Sequence, residues 1–159
     1  MSATHRSLRH MAWANQKVFA AVAELPFAAL GSYVVNPEWV AGRILHHIVS
    51  GATWYVHCLG IEHWQEIPIP ESMDDLRNLA QMLAGFDAQI LSAADLADER
   101  LEFDDEDGKG HVLRSTLLVQ AAHHATEHRA QLLDALEIRG YAPIKLDRID
   151  LWHFEAREG

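Results

Sequence analysis

The segment His123–Pro143 reads "HHATEHRAQLLDALEIRGYAP", and it predicts both a helix and an unusual site on that helix. Three histidines, a glutamate and an arginine occupy its first seven residues. Apolar residues then recur every three or four positions, which is the period of an amphipathic helix. Gly140 and Pro143 follow where helices commonly end. The segment therefore predicts a helix that carries imidazoles on the side facing the core.

Three more stretches show the same period, and together they predict the fold. The apolar stripes run over Leu8–Leu25, Val40–Cys58, Leu76–Ile90 and from Arg114 onward. Ser72 and Asp75 are spaced as a capping box at the start of the third helix. Four amphipathic helices without a strong strand run elsewhere predict an all-α four-helix bundle. The connections at 60–73 and 96–113 are long enough to cross the bundle, so the order of the helices stays open.

Two smaller elements are predicted beside the four helices. Between the third and fourth helices, Asp107-Gly108-Lys109-Gly110 is typical of a tight turn, so a short β-hairpin is expected there. The C-terminal stretch "LDRIDLWHFEAREG" predicts one more short helix, which packs Leu151 and Trp152 onto the bundle. No linker or internal repeat divides the chain, so residues 1–159 are expected to form a single domain.

Composition and charge exclude several classes of function. The formal net charge is -10 and no basic stripe offsets it, which argues against nucleic acid and anionic membranes as partners. No apolar run is long enough for a membrane span, and the N-terminus lacks the apolar core of a signal peptide. Cys58 is the only cysteine, so no intrachain disulfide forms. These features together predict a cytoplasmic protein.

Helix phase selects three of the eleven histidines as inward-facing residues. His124 and His128 fall on the inward stripe of the fourth helix, four residues apart, where two imidazoles can reach one metal ion. His47 lies on the stripe of the second helix, whereas His46 and His123 lie off their stripes. Three neutral imidazoles suffice for a three-nitrogen metal site. A plainer alternative stays open, in which these are core histidines that each make an ordinary hydrogen bond.

Two polar residues interrupt the apolar stripes near these histidines. Asn15 does so in the first helix and Gln131 in the fourth. One interpretation is a side-chain hydrogen bond between helices. The other is support of the metal ligands or contact with substrate. Helix phase alone leaves both open.

Three motifs resemble the DinB-like (YfiT-like) family of metal-binding four-helix proteins, over nearly the whole chain. They are "RHMAWANQKVFAAVAELP", "ILHHIVSGATWYVHCLG" and "AAHHATEHRAQLLDALEIRGYAP". The resemblance implies that His47, His124 and His128 are the ligands of a divalent metal ion, with zinc or nickel expected, and that the protein is a homodimer. Ala130 stands where the family often has glycine, and Glu127 where many members have histidine or a polar residue.

The resemblance also implies a class of chemistry, because some relatives are S-transferases or isomerases that use low-molecular-weight thiols. The first hypothesis is a metal-dependent enzyme, a thiol S-transferase or hydrolase, that activates a small thiol or water for attack on a small electrophile. The alternative is a non-enzymatic metal-binding stress-response protein or interaction module, since no general base is evident beside the ligands. The third hypothesis is a helical bundle without a metal site, in which the core histidines make ordinary hydrogen bonds.

Aromatic residues near helix ends predict self-association. The chain has five tryptophans, with Trp152 close to Phe154 in the tail and Trp39 and Trp64 near the ends of helices. Exposed aromatics on a globular chain often mark an interface, and two-fold dimers are the commonest assembly. The alternative is that these rings close the ends of the bundle.

Overall fold

The structure is a computed structural model that describes residues 1–105 and 108–158, and helices dominate that part of the chain. Its elements are α1 (Ala3–Ala23), α2 (Ala41–Cys58), α3 (Met73–Ser92), β1 (Arg100–Asp105), β2 (Gly108–Leu113), α4 (Arg114–Glu137) and α5 (Leu151–Glu158). The predicted all-α bundle, with a short hairpin between its third and fourth helices, is confirmed. Asp107 of the predicted turn lies outside the described residues. Within the described ranges, no helix is long and apolar enough to cross a membrane.

The packing of the helices resolves the order that the sequence left open. α1 packs against α3 and α4, and α2 packs against the same two helices. α1 and α2 therefore occupy opposite corners of the bundle, and so do α3 and α4. The connections α1–α2 and α3–α4 cross the bundle diagonally, while α2–α3 joins neighbours. This order places the two helices that carry the candidate ligands, α2 and α4, side by side.

Local signals explain where the helices begin and end. At the start of α3, the Asp75 backbone N–H donates to Ser72 Oγ at 3.1 Å, and the Ser72 hydroxyl donates to the Asp75 carboxylate at 2.8 Å. The predicted pairing of these two residues is thus confirmed. After α4, Gly140 has a φ of +87°, in the left-handed region that favours glycine.

All four long helices contribute to one apolar core. The largest fully buried side chains include Leu8, Val18, Phe19, Val22, Ile44, Leu45, Ile48, Leu76, Leu79, Ile90, Leu132 and Leu136. Burying such a side chain contributes about 1.5–3 kcal/mol to the free energy of unfolding. Five buried side chains in the described ranges are polar or charged, namely Asn15, Ser32, Thr53, Asp87 and Arg129.

The predicted inward stripe of α4, which continued through Gln131, Ala135 and Ile138, was wrong at two of these three positions, because only Ala135 is buried. Gln131 and Ile138 are exposed, and 61% of Ile138 is accessible to solvent. The centre of the buried face instead runs through Ala125, Leu132 and Leu136. Since each residue advances about 100° around the axis, the predicted stripe follows one edge of this face, so that Ala135 falls inside the face while Gln131 and Ile138 fall outside it. The histidines on the stripe therefore lie at the edge of the core rather than in its centre.

The C-terminal helix forms as predicted, but different residues pack. Leu151 and Trp152 are 47% and 82% exposed, so the prediction that they pack onto the bundle was wrong. Phe154 is buried instead, with its ring 5.5 Å from that of Trp13. Phe154 and Trp152 are two positions apart and therefore face opposite sides of a short helix.

The hairpin docks against α2 through one aromatic ring. Phe103 of β1 pairs with Gly110 of β2, and a methyl group on Gly110 would lie 2.5 Å from the Phe103 ring. The absence of a side chain there lets the ring cover the opposite strand. The same ring stands edge-on to Trp54 of α2, with centroids 5.7 Å apart.

Candidate metal centre

Three imidazoles from two neighbouring helices meet at one place. The Nε2 atoms of His47 on α2 and His124 on α4 are 3.0 Å apart. His128, one turn after His124, has its ring centroid 4.5 Å from that of His47 and 4.4 Å from that of His124. One ring nitrogen of each residue lies within 4.8 Å of the other two, and no other group in the described ranges has this metal-binding arrangement. The structure thus brings together the three predicted ligands.

The spacing of these nitrogens fits a small divalent ion. A tetrahedral ion with metal–nitrogen bonds of about 2.0–2.1 Å places its ligand nitrogens about 3.3 Å apart. The Nε2–Nε2 distance of 3.0 Å between His47 and His124 is slightly shorter than this, and the upper limit of 4.8 Å on the distances among the three nitrogens is longer. Modest rotations of the rings are therefore enough to close the three nitrogens around an ion.

Burial keeps two of these imidazoles, those of His47 and His124, in the neutral form that binds metal. The pKa of His47 is lowered, first by burial and then by the neighbouring His128 imidazole. The same causes lower the pKa of His124 to about 4. Both rings are therefore unprotonated at neutral pH and offer a lone pair. All three rings are only half-buried, so solvent and small molecules reach them.

Gln131 fixes the orientation of His128. Its Oε1 accepts from His128 Nδ1–H at 3.0 Å and from the Trp39 indole N–H at 3.1 Å. An indole N–H only donates, so the side-chain atom that it faces is the amide oxygen. That oxygen only accepts, so the proton of His128 resides on Nδ1 and Nε2 carries the lone pair. Of the two interpretations of Gln131, the structure favours contact with a candidate ligand.

Two aromatic rings frame the histidine cluster. The Trp39 ring stands edge-on to His47 and His128, with centroids 5.3 and 5.9 Å apart. Tyr55 makes a similar contact with His124 at 5.7 Å. Trp39 lies in the irregular segment before α2, so no periodicity in the sequence predicted that it reaches the site.

Gly51 makes room for His124 where α2 and α4 approach each other. It lies one turn after His47, and a methyl group there would come within 2.4 Å of His124 Cε1. Real contacts of this kind are not that short, so the imidazole occupies its present place only because residue 51 lacks a side chain. A glycine inside a predicted helix, four residues after a candidate ligand, was the sequence signal that could have indicated this role.

Asn15 belongs to a buried network that links three helices. Its Nδ2–H donates to Asp87 Oδ2 at 2.9 Å, and its Oδ1 accepts from Arg129 Nη1–H at 2.6 Å. Arg129 Nη2–H also donates to Thr126 Oγ1 at 3.0 Å. Burial raises the pKa of Asp87 to about 6 and lowers that of Arg129 to about 10. Of the two interpretations of Asn15, the structure shows the interhelical hydrogen bond.

Sequence reasoning missed Asp87 and Arg129, although one of them left a signal. Asp87 lies four residues after Leu83 and three before Ile90, on the apolar stripe of α3. A carboxylate in such a position needs a buried partner, and that partner is the Asn15–Arg129 pair.

An apolar cavity adjoins the histidine cluster. It measures about 240 Å³, and its walls include Val34, Val35, Ile44, Trp39 and Gln131. Trp39 and Gln131 line this cavity and also contact the histidines, so the cavity and the cluster share these two residues. A small molecule with an apolar part fits this arrangement.

The histidines next to the candidate ligands in sequence are engaged elsewhere. His46 Nε2 lies 2.8 Å from the carbonyl oxygen of Ile67 and donates to it. His123 lines a separate cavity of about 410 Å³ between α1, α4 and the C-terminal segment, which contains none of the three candidate ligands. Both residues therefore serve as matched controls for substitutions at the cluster.

Comparison with known proteins gives one match. The model of a family described as the DinB family matches residues 1–158, which is nearly the whole chain. Searches of curated proteins and of solved structures gave no match.

Proposed function

The chain belongs to the DinB family, and from that premise we propose that it is a metal-dependent enzyme that activates a small thiol or water for attack on a small electrophile. His47, His124 and His128 bind one divalent ion in this proposal, with zinc or nickel suited to three imidazole ligands. The observation that carries it is the convergence of three ring nitrogens within 4.8 Å of one another.

The geometry favours a metal site over three ordinary core histidines. If these were ordinary core histidines, one hydrogen bond between the Nε2 atoms of His47 and His124, which are 3.0 Å apart, would account for the position of those two rings. It would not explain why His128 lies against both rings with its Nδ1 proton held by Gln131. Ligating histidines commonly donate their second ring N–H to such an acceptor, which leaves the other nitrogen for the ion.

The residues around the cluster support a reaction on a small molecule. A divalent ion held by three neutral imidazoles keeps a coordination position open and lowers the pKa of a thiol or water bound there. The aromatic rings of Trp39 and Tyr55 stand edge-on to the cluster and form part of the wall around it. The adjoining 240 Å³ cavity holds the apolar part of the electrophile.

A thiol is favoured over water as the nucleophile. In the described part of the chain, no carboxylate hydrogen-bonds to the three histidines, and Glu127, one turn from His124, is exposed. A thiol with a pKa of about 8.5 needs a far smaller shift than water, at about 15.7, to ionise at neutral pH without a base. In the proposed step the thiolate sulfur forms a bond to the electrophilic carbon, and the leaving group departs with its electron pair.

The same lack of a base favours a second function, a metal-binding stress-response protein or interaction module without catalysis. In that case the ion would act as a clamp between α2 and α4. It would stabilise the folded chain because the unfolded chain does not hold the three ligands together.

One assay separates these functions. The zinc-loaded and nickel-loaded protein is mixed with a panel of low-molecular-weight thiols and 1-chloro-2,4-dinitrobenzene, and thioether formation is followed. Turnover that is lost on chelation and in His124→Ala, but retained in His123→Ala, supports the enzyme. Stoichiometric metal without turnover across the panel supports the module, and a chain that binds no metal rules out both.

A further inference from the structure

One oxygen of a buried carboxylate lacks a protein partner near the histidine cluster. Asp87 is 1% exposed, and its Oδ2 accepts from Asn15. Its Oδ1 is buried and has no hydrogen-bond partner among the described residues. A buried carboxylate oxygen without a partner is unfavourable, so such oxygens usually contact an ordered water.

A small cavity connects this carboxylate with one of the candidate metal ligands. The cavity is lined by Asp87, Asn15, Tyr55 and His124, and its other walls are apolar. The volume open to the centre of a water molecule is about 10 Å³. Space of this size holds one water when polar groups are present to bond it.

His124 needs an acceptor that the protein does not supply directly. Its Nε2 faces His47 at 3.0 Å. When Nε2 offers its lone pair to an ion, the proton resides on Nδ1. Across the described ranges no protein group accepts from His124 Nδ1, whereas the corresponding atom of His128 has Gln131.

We propose that one buried water in this cavity accepts from His124 Nδ1–H and donates to Asp87 Oδ1. Asp87 is then a positioning residue that selects, through the water, which nitrogen of His124 faces the metal. An ionised carboxylate only accepts, so the water must point a hydrogen at Asp87 and its oxygen at His124. Asn15 donates to the other oxygen of this carboxylate, and Arg129 in turn donates to the Asn15 amide oxygen. The ligand role of His124 rests on the proposed function, but the tautomer is a property of the metal-free protein.

The test is Asp87→Asn, which keeps the shape but places an amide N–H where Oδ1 stands. Nitrogen-15 NMR of the metal-free protein at about pH 8 reports the His124 tautomer, because this pH lies above the pKa of about 6 to which burial raises Asp87. The wild type should hold the proton on Nδ1, and in Asp87→Asn the Nε2–H form should become a major species. Zinc affinity should fall about 10- to 100-fold, as for other lost outer partners of ligating histidines. His123→Ala removes a neighbouring imidazole that lines a separate cavity, so it should change neither.

A second variant covers the case in which Asp87→Asn fails to fold. Ala121→Val fills the cavity and expels the water while Asp87 remains, so the same tautomer change is expected. An unchanged tautomer in the folded variants overturns the proposed water bridge even if zinc binds tightly to the wild type. If the wild type binds no zinc but the variants still show the tautomer change, the water bridge is supported and the proposed function is rejected.

Discussion

The Nε2 atoms of His47 and His124 lie 3.0 Å apart although 77 residues separate the two histidines in the chain. This contact depends on the diagonal connections, which place α2 beside α4. It also depends on Gly51, which leaves space for the imidazole between the helices. The site is therefore sensitive to changes at residues that never touch an ion.

Gly51→Ala should impair the site without unfolding the protein. The new methyl group would lie 2.4 Å from His124 Cε1, and the ring, as the end of a side chain, is what moves. Zinc affinity should fall about tenfold or more. The metal-free protein should be as stable as the wild type or more so, because alanine is favoured over glycine inside a helix by about 0.5–1 kcal/mol. Calorimetric titration and thermal unfolding measure the two effects.

Gly85→Ala is the matched control for this substitution. Gly85 lies inside α3, and a methyl group there meets no atom within 4 Å. It should gain the same helix stability and bind zinc as the wild type does. Equal zinc affinity in the two variants would refute the role of Gly51.

Gln131→Leu should weaken metal binding through the orientation of His128. Leucine removes the oxygen that accepts from His128 Nδ1–H and from the Trp39 indole. The expected loss is about 10- to 100-fold in zinc affinity. Gln131→Glu keeps an acceptor oxygen and should restore most of the affinity. Wild-type affinity in Gln131→Leu would show that this hydrogen bond does not orient the ring.

Metal should be retained to lower pH than for free imidazoles. Burial lowers the pKa of His47, and it lowers that of His124 to about 4. At a pH near the usual histidine pKa of about 6.5, protons therefore compete only weakly with the metal for these nitrogens. In the metal-free chain, the unfolded state binds a proton at His124 at a higher pH than the folded state does. The free energy of unfolding should therefore decrease as the pH falls from about 6.5 toward 4. Occupancy after dialysis should remain near full at about pH 6 and vanish nearer pH 4. Half-release above about pH 6.5 would contradict the lowered pKa values.

Periodicity alone predicted the helices and selected the three histidines, because residues three and four apart share a helical face. Periodicity failed where the burial or the contacts of a residue depend on a neighbouring helix or loop. Ile138 is exposed because the neighbours of α4 cover a face centred slightly away from the predicted stripe. Trp39 reaches the histidines from an irregular segment, and the partners of Asp87 depend on which helices are adjacent. The lengths of the connections could not establish that adjacency.

Self-association through exposed aromatic residues stays a prediction, and the structure reduces the number of aromatic residues that can take part. Phe154 is buried and leaves the proposed interface, whereas Trp152 is 82% exposed beside the half-exposed Leu151. Light scattering at micromolar concentration should give about twice the chain mass of 17.9 kDa, and Trp152→Ser should reduce it toward that mass. A wild-type mass near 17.9 kDa that does not change on concentration would rule out the dimer.

Metal content per chain, measured by elemental analysis on protein purified without nickel resin, tests the three-histidine site most directly. The wild type, His46→Ala and His123→Ala should each carry about one divalent ion per chain. His47→Ala, His124→Ala and His128→Ala should carry little or none after dialysis. Full occupancy in His124→Ala, or no metal in the wild type after exposure to zinc and nickel, would contradict the assignment.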